Sequence, residues 1–272
     1  MRATFRNKTL AISSGFLLLV TLAAVAAPYL TSFSYEEQNI EARLEGPSAK
    51  HPMGTDSLGR DLYSRILYGA RASMAVGFVT ALCAVLIGTV YGAVAGWVGG
   101  WVDAFLMRVV DIFYVFPSLL IAILLMVVLG QGITGILIAL ALVGWVNQAR
   151  LVRAQVLQVK EHLHVEAARA AGAGGFRIVG RHILPLILGP VMVSLTFQIP
   201  TSIMAESFLS FLGLGLQPPY SSWGTLAAEG FRGMRSYPHL IIFPGVALFL
   251  TMLAFQFLGD GLRDLLDPTT RS

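Results

Sequence analysis

Few side chains in this sequence could act as nucleophiles, metal ligands or phosphate anchors, and their spacing rules out most chemistry. Histidines stand at 51, 162, 164, 182 and 239. None belongs to an H-E-x-x-H pair, so a helix-borne zinc site of the metalloprotease kind has no counterpart here. His51 lies five residues before Asp56, but His51-Pro52 is extended and no second histidine is near, so the pair does not read as a metal site. Cys83, the only cysteine, lies in an apolar run, which excludes an intramolecular disulfide and a thiolate-based metal site. The lysines Lys8, Lys50 and Lys160 follow Asn7, Ala49 and Val159, whereas a nucleotide-binding P-loop needs Gly-Lys before Ser or Thr. There is no P-loop, no catalytic constellation can be assembled, and the chain is not expected to be an enzyme or to bind a cofactor.

The most distinctive polar pattern is not catalytic. Ser194, Gln198, Ser202 and Glu206 recur every four residues in an apolar segment, forming a slowly spiralling stripe interrupted by Pro200. Such a stripe either holds helices together or lines a path for a polar solute. Glu206 is also the one clear ionisable group within the apolar cores. Ion-coupled carriers use such groups, so a secondary transporter is the rival reading, on a thin basis.

These residues must be positioned by a membrane-embedded scaffold. The 272 residues are 56% hydrophobic and 12% charged, with mean hydropathy +0.72. A soluble domain carries about 25% charged residues; a water-soluble globule is excluded. The net charge of +4 gives no support to nucleic-acid binding. Uncharged stretches cover 9–35, 72–102, 112–149, 182–205, 207–228 and 236–259, and a spanning helix needs about 20 apolar residues. The third stretch holds two spans, separated at Gly130-Gln131-Gly132. The fifth cannot be a span, because its Gly- and Pro-rich centre, 213–222, cannot run as lipid-exposed helix. Six helices are expected, near 10–30, 73–96, 109–129, 133–152, 188–210 and 238–259. The first is expected to be an uncleaved anchor rather than a signal peptide, being long for one and followed by further spans. With both termini in the cytoplasm, 12 basic residues fall inside and 7 outside, the bias that sets topology.

The inner segment between the fourth and fifth spans reads Glu166-Ala167-Ala168, then Gly172, then His182-Ile183-Leu184-Pro185. Alanine-rich residues ending at a glycine make a short helix with a left-handed stop, and a second short helix can begin after Gly175. This register resembles the EAA motif of permease subunits in binding-protein-dependent ATP-binding-cassette (ABC) importers. The family usually has isoleucine where His182 stands, but a His-Ile-Leu-Pro ending is usual in the peptide-transporter branch. The outer loop carries a second resemblance, in 51–61 (His51-Pro52-Met53-Gly54-Thr55-Asp56-Ser57-Leu58-Gly59-Arg60-Asp61) with Ser64-Arg65, Tyr68-Gly69 and Arg71. It is similar to the second permease of dipeptide, oligopeptide and nickel importers. Glu206 to Pro219 with Ser222-Trp223-Gly224, and Gly259 to Asp264 with Asp267-Pro268, match the same class in order.

The resemblance implies an all-α, polytopic membrane protein with six transmembrane helices and the permease fold of a type I ABC importer. Residues 1–72 would form an N-terminal helix and a periplasmic loop with an interfacial helix over 58–71. Residues 73–272 would form a five-helix core containing a coupling loop at 153–187. It implies that Glu166, Ala167, Ala168, Gly172, Leu184 and Pro185 contact an ATPase subunit, and it favours the stripe as path lining. The implied partners are a homologous second permease, two ATPases that hold the ATP and Mg, an extracytoplasmic solute-binding protein, and bacterial inner-membrane lipid. Di- or oligopeptides lead as cargo. Gly88, Gly92, Gly96 and Gly100 form a small-residue strip for close approach of another helix.

Overall fold

A computed structural model describes residues 2–266; Asp267-Pro268 and Arg271 fall outside the described residues. The first helix, α1 (Arg2–Val25), is followed by one further turn, α2 (Ala27–Leu30), with Pro28 in its first turn, where the missing N–H costs nothing. An irregular outer segment then leads to α3 (Leu62–Val98).

Helix α3 starts where the Asp61 side chain accepts the Ser64 N–H at 2.8 Å. It ends at Gly99, whose φ of +69° belongs to the left-handed region that side chains disfavour. Its 37 residues extend about 55 Å at 1.5 Å per residue, well beyond the roughly 30 Å hydrocarbon core. The segment expected as a separate interfacial helix is therefore the outer end of this same helix. The boundary expected at residue 72 falls inside it.

The expected third span, 109–129, is not one helix either. Here α4 (Gly100–Val115) and α5 (Ser118–Leu129) meet at 88° across Phe116-Pro117. Pro117 cannot donate a backbone hydrogen bond and pushes Phe116 into an extended conformation. After the Gly130-Gln131-Gly132 turn, α6 (Ile133–Val159) continues about two turns beyond the expected end.

Two short helices, α7 (Leu163–Ala170) and α8 (Gly175–Ile178), follow; a π-turn at Val179–Ile183 joins α8 to α9 (Leu184–Phe211). Beyond a loop lie α10 (Trp223–Arg232) and α11 (His239–Leu266). Among the described residues five helices are long and apolar enough to cross a membrane, and the bent α4–α5 pair makes a sixth crossing if counted as one span.

The densest contact is between α3 and α6. A Cβ on Gly88 would sit 2.6 Å from the Trp145 carbonyl, one on Gly96 would sit 2.9 Å from Val156 Cβ, and one on Gly92 would collide with the Ala149 carbonyl. Gly100 does not join this strip: it lies past the end of α3 with nothing near its Cβ position. The main core gathers Ala81 and Val85 of α3, Val152 and Val156 of α6, and Ile187, Leu195, Ile199 and Ile203 of α9.

Candidate functional site

The inner loop is ordered by its own backbone. Helix α7 closes with Ala173 N–H donating to Ala168 O (3.0 Å) and Gly172 N–H to Arg169 O (3.0 Å), around Gly172 at φ +81°. This is the left-handed helix stop anticipated from Gly172. Val165, Ile178 and Ile183, each almost fully buried, pin the loop into the main core. Gly175 rests on the Trp97 indole, which also stacks under the Arg169 guanidinium at 5.5 Å. The seat beneath the loop is thus the end of α3. Glu166, Ala167 and Gly172 remain exposed and Ala168 is half-buried. Leu184 and Pro185 form the first turn of α9. On the outward side of the loop Leu163 and Phe176 stand 83% and 97% exposed.

Two ion pairs brace the bent helix α4 against α6. Arg153 forks onto both oxygens of Asp103 (2.5 and 2.6 Å), and Arg150 reaches Asp111 (2.5 Å) while lying 4.0 Å over the Tyr114 ring.

At the outer end the motif residues are buried. His51 Nδ1 lies 2.9 Å from Asp61 Oδ1. Asp56 accepts hydrogen bonds from Arg60 (2.7 Å) and Arg65 (2.6 Å), and Arg65 also reaches Glu229 of α10 at 2.6 Å. Arg60 and Arg65 are 4% and 1% exposed. Among the described residues no three His, Cys, Asp or Glu side chains converge as a metal site. The neighbouring Tyr35 hydroxyl is pushed up to about 12, chiefly by its hydrogen bond with Glu36.

The stripe on α9 divides. A four-residue step turns a helix by about 400°, so the stripe drifts about 40° per step and about 120° over its length. Ser194 and Gln198 accordingly face a cleft of about 810 Å³ between α6, α9 and α11. Ser194 donates to Gln148 of α6 at 2.6 Å. Ser202 and Glu206 have rotated into the interior, with Glu206 wholly buried and accepting from Ser210 (2.7 Å) and Ser222 (2.6 Å). Ser222 in turn caps α10 through Thr225. Thr201 takes over the cleft-facing position that the stripe leaves.

Sequence reasoning passed over Glu229, Gln148, Gln155, Gln158, Thr201 and Arg263. The polar residues of α6 were legible as amides within an apolar helix. Glu229 carried no such signal, because its partner lies 164 positions away.

Among the described residues a helical bundle with five or six apolar crossings, an exposed inner knob and a partly polar cleft is the architecture of a multi-span membrane permease. The family model for the binding-protein-dependent transport system inner membrane component matches residues 88–272, and the chain belongs to that family. A second model, the N-terminal TM domain of oligopeptide transport permease C, matches residues 1–47. The dipeptide transport system permease DppC of Bacillus subtilis is 45% identical over 98% of this chain and 83% of its own length. The oligopeptide transport system permease OppC of the same organism is 42% identical, covering 97% and 87%. The glutathione transport system permease GsiD of Pectobacterium atrosepticum is 43% identical, covering 98% and 90%. An inward-facing structure of the MetNI methionine ABC transporter shares the fold, with TM-score 0.63 and 20% identity over 76% of this chain and 98% of that one.

Proposed function

We propose that this chain forms half of the membrane channel of an ABC importer that carries di- or oligopeptides, or a related small solute such as glutathione, across a bacterial inner membrane. A homologous second permease supplies the other half. Two ATPase subunits hold ATP and Mg at the cytoplasmic face, and an extracytoplasmic solute-binding protein delivers cargo from above. Both termini lie in the cytoplasm, so the 163–178 knob and the ends of α6 and α9 face the ATPases.

The observation that carries this reading is the knob itself, in a chain without a P-loop. Its surface is exposed while Val165, Ile178 and Ile183 anchor it to the spans, so a push at α7 reaches α3, α6 and α9 without being absorbed by a floppy loop. Nucleotide binding closes the ATPases, the paired knobs approach each other, and the spans reorient outward. Coupling between distant sites is typically about 1–3 kcal/mol, which a loosened knob would forfeit. Glu166, Ala167, Ala168 and Gly172 are the contact residues, with Leu184 and Pro185 setting the angle at which α9 leaves the loop. Ser194 and Gln198 line the path, whereas Ser202 and Glu206 hold helices together.

The test is Gly172→Val. Nothing lies within 4 Å of the new Cβ, so the change acts through the backbone alone, at about 1–2 kcal/mol for a left-handed residue. The complex should still assemble while peptide uptake falls severalfold per ATP hydrolysed in proteoliposomes. Unaltered uptake per ATP would reject the coupling role.

A further inference from the structure

Helix α9 leaves one side uncovered, and two clefts run end to end along it. The outer cleft, about 940 Å³, is walled by apolar groups such as Leu119, Met204, Phe208, Phe249 and Leu253. The inner cleft, about 810 Å³, includes Gln155, Gln158, Ser194, Gln198, Thr201 and Arg263. They meet at Phe197 and Thr201, which line both.

Ser194 and Thr201 are bonded within the fold, to Gln148 and to the Phe197 carbonyl, but the other four polar groups of the inner cleft are not. Gln148, one helical face away, is bonded to Ser194 and Thr89. Among the described residues the amides of Gln155, Gln158 and Gln198 and the guanidinium of Arg263 make no hydrogen bond or ion pair. Gln155 and Gln158 lie on the inner extension of α6, beyond the expected span, whereas Gln198 lies within α9, where a free amide would be costly against lipid, which offers no partner. A polar surrounding at Gln198 for part of the transport cycle removes that cost. The cleft is also large enough for a small solute, since ligand sites run from about 300 to 1,000 Å³.

The chemistry of the lining selects the occupant. A glutamine amide both donates and accepts, as does every peptide unit. Such a wall can exchange hydrogen bonds with a peptide main chain whatever its side chains are. Arg263 offers a planar guanidinium fork suited to a carboxylate. No Asp or Glu is among the described residues lining the cleft, so a peptide amino terminus finds no counterpart there.

We propose that the inner cleft is a transient binding site for the main chain of an extended peptide. Gln155, Gln158 and Gln198 pair with its amides, and Arg263 receives its terminal carboxylate. This rests on the peptide-import reading and assigns that reading's cargo a site and a direction within this chain.

The experiment compares uptake of trialanine and trialanine amide by the complete importer in proteoliposomes, with wild-type permease and with Arg263→Gln. The binding protein is common to both, so its own preference cancels in each peptide's variant-to-wild-type ratio. The free acid should lose roughly tenfold in uptake efficiency, the scale of one charge-assisted hydrogen bond. The amide should keep its wild-type rate. An equal loss for both peptides, or no loss for either, overturns the carboxylate site and leaves peptide import standing. A wild-type importer that moves neither peptide overturns the import reading and the site with it. The double variant Gln155→Leu, Gln198→Leu should slow both peptides alike with the ATPases still bound. Undiminished uptake in that variant overturns the role of the amides.

Discussion

The two ends of the molecule handle charge in opposite ways. At the outer end Asp56, Arg60 and Arg65 are withdrawn from solvent and paired with one another and with Glu229, with Arg65 Nε left unpartnered. At the inner end Glu166, Arg169 and Arg177 are left in solvent while the loop's aliphatic residues are buried, and Leu163 and Phe176 are pushed outward. A buried ion network tolerates few alternative geometries, since breaking one partner strands the rest. An exposed apolar pair on a rigid base gains nothing until a partner covers it. The outer end is built as a fixed cap over α3 and α10, and the inner end as a surface awaiting its complement.

Breaking the cap should have the largest effect. Arg65→Ala removes one of the two guanidinium partners of the Asp56 carboxylate, leaving the Arg60 side chain and the Leu58 and Arg60 amides, and opens a hole at a site 1% exposed. A loss of about 3–5 kcal/mol is expected for a stranded buried charge. It should appear as a lowered melting midpoint of the detergent-solubilised protein, and an unshifted midpoint would mean that the network is not structural.

Glu229→Gln probes the same network from its wetter edge. Its side chain is 41% exposed, so water can replace it and a cost of about 1 kcal/mol or less is expected. A loss matching that of Arg65→Ala would show the edge to be as critical as the centre.

The inner end should answer in the opposite sense. Leu163→Ala with Phe176→Ala should leave stability within about 0.5 kcal/mol, as for surface changes away from the core. The same pair should reduce the amount of ATPase co-purifying with the permease. Full ATPase recovery from this double variant would remove the contrast between the two ends.

How much of this was legible depends on how far apart the interacting residues lie. Charge-free stretches marked where each of the five long apolar helices lies among the described residues, because hydropathy is a property of consecutive residues. The turn at Gly172 was legible for the same reason: its hydrogen bonds span five residues or fewer. The continuation of α3 through residue 72 was hidden by its charged start, since Arg65 looked solvent-seeking until Asp56 and Glu229 were placed beside it.

The linear chain by itself determined the membrane setting, the inner loop with its glycine stop, and the family to which these belong. Tertiary structure alone decided which polar residues of α9 meet the cleft and which are sealed inside. A helix turns 100° per residue, so a four-residue pattern wanders off any fixed face, and only the positions of α6, α10 and α11 determine where it enters and leaves the interior. The same holds for Glu229 and Arg263. Their roles come from what distant segments bring or fail to bring beside them, and no local pattern records that.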